Sequence, residues 1–143
     1  MAANNDPIYS RSPNVDWPAV MTAANTTVDL TAGTIYLVWT ADATNGGFIQ
    51  TIRIRAIPTI AATAATVARI WLNNGATTGT AANNILYNEI SLPATTASAT
   101  AATANYEVPM NIALDAGFRV YITLHTAPGG STGWMATGVG GNY

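Results

Sequence analysis

From Phe48 to Ile57 apolar and polar side chains alternate with a period of two. Ile52, Ile54 and Ala56 fall on one side, and Thr51, Arg53 and Arg55 on the other. Such alternation predicts a strand with one buried face. The same period recurs along the chain. In Thr66–Leu72, Ala68, Ile70 and Leu72 oppose Val67, Arg69 and Trp71; in Asn84–Leu92, Leu86, Ile90 and Leu92 oppose Tyr87 and Glu89. Phe118, Val120, Ile122 and Leu124 form the strongest stripe, opposite Arg119, Tyr121, Thr123 and His125. Thr34–Thr40 is β-branched and aromatic, and its pattern places Ile35, Leu37 and Trp39 on one face, with Trp39 in the core. Tyr106–Leu114, interrupted by Pro109, and the glycine-softened Gly133–Val139 complete the series.

Punctuation between these runs is that of β-structure. Asn45-Gly46-Gly47 predicts a turn with positive φ, making Thr34–Thr40 and Phe48–Ile57 the best hairpin candidate. Asn73-Asn74-Gly75, Ala116-Gly117 and Pro128-Gly129-Gly130 close other strands, and Pro58 ends one. No stretch holds a helical period long enough for a crossover helix, so a parallel sheet is not expected. Short strands with turns every 8–12 residues or so predict an all-β protein: an antiparallel β-sandwich of about eight strands, jelly-roll-like.

Residues 1–24 have no steady period and carry Pro7, Pro13 and Pro18. They read as an extended N-terminal arm, given something to bury by Tyr9, Trp17 and Val20, ahead of a single sandwich domain over 25–143. A chain of 143 residues suits one such domain and buries enough surface to need no metal or disulfide.

Composition sharpens this picture. Hydrophobic residues make up 49% and charged residues only 8%, and Ala and Thr together supply about a third of the chain. So few charges imply a surface coated with Thr, Asn and Ser, partly buried against other chains. All five basic residues are Arg, and the net charge is −2, against a nucleic-acid partner or a membrane-surface patch. With 0 Cys there are no disulfides or thiolate metal sites. The amino end lacks the pattern of a signal peptide, and no apolar run reaches the roughly 20 residues of a membrane span.

Candidate chemistry is sparse. His125 stands without partners at the spacing of a metal site or a nucleophilic triad. Glu89 and Glu107 could form a glycosidase pair, but a cross-strand pairing of Glu89 with Arg69 or Arg53 is simpler. Gly129, Gly130, Gly138, Gly140 and Gly141 lack a phosphate-loop context and read as turn and terminal glycines. No enzymatic activity and no cofactor are expected. Arg53, Arg55 and Arg69, read as grouped on one sheet with Trp71 alongside, suggest an interface, because Arg and Trp are enriched at hot spots. Tyr9, Arg11, Trp17 and Tyr106 join them as candidate contact residues. Trp17, Trp71 and Trp134, if exposed, would instead suit a carbohydrate-binding module.

"MAANNDPIYS", "IRIRAI", "WLNNG", "EISLPATTAS", "VPMNIALDAGFRVYITL" and "VGGNY" together resemble small virion proteins of tailed bacteriophages, of the capsid decoration or cement type. The resemblance covers nearly the whole chain, and its motifs are structural rather than catalytic. It implies a protein on the outer surface of a phage head, often a trimer, whose partners are the major capsid protein and copies of itself. A head-fibre or tail-associated module that binds a host surface is the alternative. The Ala/Thr-rich stretches Thr59–Thr66 and Ala94–Met110 lie between strands and are expected to cluster at one end or edge of the sandwich, as an ordered loop or edge strand at a subunit contact.

Overall fold

The structure, a computed structural model, describes residues 10–57, 63–96, 98–129 and 132–143. Eight strands run in order: β1 (Ser12–Asp16), β2 (Tyr36–Thr40), β3 (Gly47–Ala56), β4 (Thr66–Asn73), β5 (Asn84–Leu92), β6 (Asn105–Leu114), β7 (Arg119–Leu124) and β8 (Trp134–Asn142). One 3-10 turn, Ala81–Asn83, precedes β5. Every pairing between strands is antiparallel, in two four-stranded sheets ordered β1-β8-β3-β6 and β2-β7-β4-β5. This is the strand order of a jelly roll, two Greek keys folded into a double sheet. The expected all-β sandwich is therefore found, with its eighth strand supplied by β1 from the segment read as an arm.

The core lies between the sheets. Ile49, Ile52 and Ile54 of β3, Ala68 and Ile70 of β4, Val120, Ile122 and Leu124 of β7, and Trp134 and Ala136 of β8 are all fully buried there. Each large aliphatic side chain so buried contributes roughly 1.5–3 kcal/mol. Met21 joins them, because the chain after β1 bridges Trp134 with two backbone hydrogen bonds of 2.8 and 3.1 Å.

Several expectations are corrected. Thr34–Thr40 and Phe48–Ile57 are not a hairpin: β2 pairs with β7 and β3 with β6 and β8, in opposite sheets. The turn between them is real. Asp42 Oδ1 accepts from the backbone N–H of Thr44 and Asn45, and Gly46 adopts φ +78° where a Cβ would collide with the Leu114 carbonyl. It carries the chain from one sheet to the other. In β2 the register shifts between Leu37 and Trp39, so Val38 and Trp39 are both buried while Leu37 turns outward. That bulge breaks the stripe expected of Ile35, Leu37 and Trp39.

Part of the outer side of the β2-β7-β4-β5 sheet is covered. Residues 25–35 fold back over it and bury Leu30 against Trp71 and Tyr121, with Ile35 alongside. Asn25 pins this cover, donating to the carbonyls of Ala32 and Thr34 at 2.9 and 3.0 Å. Beneath it, Trp71 Nε1 donates to Thr123 Oγ1.

Gly138, Gly140 and Gly141, read as terminal glycines, lie within β8. A Cβ on Gly138 would come within 2.9 Å of Trp39 Cβ and of the Val38 carbonyl oxygen, so the bare backbone lets the second sheet approach. Pro109 does not break its strand. It sits in β6, an edge strand, opposite a register shift where Asn111 takes φ +49°.

Candidate functional site

The outward face of the β1-β8-β3-β6 sheet is open. Register places Thr137, Arg53 and Glu107 directly across β8, β3 and β6, and Met135, Arg55 and Asn105 in the next outward row. Arg53 Nε lies 2.9 Å from Glu107 Oε1, with about half of each side chain exposed. Arg55 has no carboxylate partner among the described residues. Asn105 donates to Glu107 Oε1 at 3.2 Å, which helps hold that carboxylate on the Arg53 side.

The chain entering β6 rises over one end of this face. Thr103 Oγ1 donates to the carbonyl of Ala56 at 3.5 Å and holds the loop against β3. Between loop and sheet lies a groove of about 760 Å³, lined by both arginines, Ile57, Ala102 and Thr103, with Met135, Thr137 and Val139 along β8. Sequence reasoning found the arginines and missed the β8 contributors. Their signal was present, since Met135, Thr137 and Val139 alternate with buried Trp134, Ala136 and Gly138.

Beside β8, the edge strand β1 and the segment after it expose three large apolar side chains. Val15, Trp17 and Val20 are 47%, 64% and 39% exposed along β1 and the segment following it. Arg11 is exposed at the start of this edge, its backbone N–H donating to Asn142 at 2.7 Å. Tyr9 lies outside the described residues.

The remaining candidates are elsewhere. Arg69 is on the other sheet, so the three arginines do not share a face. Its Nε contacts Glu89 Oε1 at 2.7 Å and its Nη1 lies 3.2 Å from His125 Nδ1, a ring nitrogen that accepts because a guanidinium can only donate. Of the two pairings open to Glu89, this one is realised. Trp71 is 2% exposed beneath Leu30, and Trp134 is fully buried. Neither can serve as an exposed contact or stacking platform. Tyr106 points inward too, its ring edge-on to Trp134 at 6.0 Å. The outward position beside it belongs to Glu107.

The two Ala/Thr runs meet. Thr63 and Thr95 pair as an isolated bridge, with backbone hydrogen bonds of 2.8 and 3.3 Å. Residues 59–62 and Ala97 of those runs lie outside the described residues, as do Pro58 and Gly130.

Two carboxyls are held below their ordinary range. Asp42 is shifted by the backbone N–H of Asn45, then that of Thr44; Asp29 by the backbone and then the hydroxyl of Thr31. Both shape turns. Among the described residues no three His, Asp or Glu side chains gather to hold a metal ion, and no helix is long and apolar enough to cross a membrane.

No protein-family description matches the chain, and no curated protein matches it. Among solved structures it is similar to chains from infectious bursal disease virus. For the Gx strain the identity is 15% with a TM-score of 0.29, covering 99% of this chain and 34% of the viral one. For the Gt strain the values are 13%, 0.30, 99% and 36%. The chain thus spans about a third of those chains. At such TM-scores the likeness carries no argument, and the fold rests on the strand order.

Proposed function

We propose that this protein is a structural component of a virion, of the capsid decoration type, bound to the outer surface of a phage head. In this reading it bridges major capsid subunits and associates with copies of itself as a trimer. The observation that carries the proposal is the exposed apolar edge formed by Val15, Trp17 and Val20. Large apolar side chains exposed along an edge strand and the segment that continues it are costly in a free monomer, and they mark a surface that another chain covers. The jelly-roll order adds a fold-level analogy, since viral capsid domains share it with lectins and cupins. The sequence resemblance to phage decoration proteins points the same way.

Mechanically such a protein needs no reactive group. A chain that binds assembled subunits and not free ones stabilises the shell by mass action. A durable contact should bury about 1,200–2,000 Å² in total. Co-sedimentation with purified expanded heads tests the proposal. Wild-type protein should pellet with heads, and Trp17→Ser should pellet at least about tenfold less while keeping its fold, as expected when an aromatic anchor is lost. Absence of the wild-type protein from the pellet would sink the reading.

A head-fibre or tail-associated role in host-surface recognition is the second reading. The groove over Arg55 favours it, because attachment to a shell requires no concave ligand site.

A further inference from the structure

We infer that the groove over Arg53 and Arg55 is a binding site for a carboxylated sugar residue, of the uronic or sialic acid class. The inference rests on the host-recognition reading and names its ligand; it is independent of attachment to heads.

Charge gives the first half of the argument. The chain carries a net charge of −2, yet the groove lining holds two arginines and no carboxylate. Arg53 is engaged by Glu107 outside the lining, whereas Arg55 has no carboxylate partner among the described residues. An exposed guanidinium without a partner, at the side of a concave site, matches a planar carboxylate in two-pronged geometry.

The rest of the lining gives the second half. About 760 Å³ falls within the range of small-ligand sites. Thr137, Thr103 and Asn105 surround Arg55 with hydroxyl and amide groups able to bond sugar hydroxyls, and the Asn105 side-chain oxygen has no donor among the described residues. Met135, 40% exposed, and Ile57 supply an apolar wall for the C–H face of a ring. An acidic peptide fits less well. The groove floor is β3 and β8, central strands paired on both sides, so a peptide backbone finds no free ladder groups there. A sugar is bonded by side chains, which is what the groove offers.

Ligand-observed NMR on the full-length protein tests this. N-acetylneuraminic acid and glucuronic acid are the acidic probes, galactose and N-acetylglucosamine the neutral ones, and tri-glutamate the peptide arm. At least one acidic sugar should bind, with neutral sugars about tenfold weaker or more, and R55Q should lose that binding, as expected on removing a charge-assisted contact. M135A, which keeps Arg55, should weaken binding of the same sugar severalfold. Equal binding of neutral sugars, or unchanged binding by R55Q, overturns the assignment but leaves host recognition standing. Silence from every sugar overturns both. Tighter binding of tri-glutamate than of either acidic sugar gives the groove to a peptide and overturns the inference. Head co-sedimentation, run in parallel, reports on the decoration reading alone.

Discussion

Trp71 and Thr123 are joined by a 3.1 Å hydrogen bond from indole to hydroxyl, across β4 and β7 and under the Leu30 side chain. The bond satisfies the indole N–H of Trp71, which with Leu30 and Tyr121 forms a second, smaller core. Thr123→Val keeps the shape and removes the acceptor, leaving a buried N–H unpaired. It should cost about 1–3 kcal/mol in urea denaturation, while Thr123→Ser should recover most of that. Equal stability of the Val and Ser variants would show that the bond is not what secures Trp71.

Leu30 closes that second core from above. Leu30→Ala should destabilise by about 2–5 kcal/mol, the range for a buried large-to-small change. It should also raise amide exchange in residues 25–35 before the strands open. Exchange unchanged in that segment would mean that the cover is held by its polar contacts, such as those of Asn25 and Asn84, rather than by Leu30.

The glycines of β8 make an opposite prediction from the one their sequence context suggests. Gly138→Ala forces a methyl against Trp39 and the Val38 carbonyl, and overpacking of that kind costs about 1–3 kcal/mol. Gly79→Ala is the control. Its Cβ would meet nothing nearer than Thr77 Oγ1 at 3.6 Å, and its effect should stay within about 0.5 kcal/mol. Thermal melts of the two variants side by side decide the matter.

Asp42 links the fold to pH. Its carboxylate is stabilised by the backbone N–H groups of Asn45 and Thr44, which lowers its pKa from the ordinary 3.8. A depressed folded-state pKa means stabilisation that is fully present above the unfolded value and lost as pH falls through the folded one. The turn between the sheets should therefore weaken only below about pH 4, as the carboxylate takes up its proton. Asp42→Ala should lower stability at neutral pH and flatten that acid limb. Carboxyl-detected NMR titration should place Asp42 below an unstructured aspartate, and a value at or above it would contradict the assigned bonds.

These cases mark what could be read along the chain. Ile52, Ile54 and Ala56, or Ala68 and Ile70, announce their faces because strand period and burial are both local. Trp39 was legible as core, but Leu37 was not legible as exposed, because a bulge shifts the pattern by one residue. Trp71 and Tyr121 look like outer-face residues until residues 25–35 are known to fold over them, and that contact is long-range. The Asn45-Gly46 turn was evident, while the partners of its flanking strands depend on Greek-key closure rather than on the turn. Of the candidate contact residues, alternation placed Arg53 and Arg55 on an outward face together, and Arg69 was misplaced because sheet membership has no local signature. The groove needed the loop entering β6, with Ala102 and Thr103, whose approach to Arg55 no period encodes.

The central claim, a structural protein on the outside of a phage head, is tested most directly by immunogold electron microscopy of purified virions, using antibodies raised against this chain. The account predicts label spread over the head surface of intact particles. Particles without label, or label confined to the tail, would contradict it.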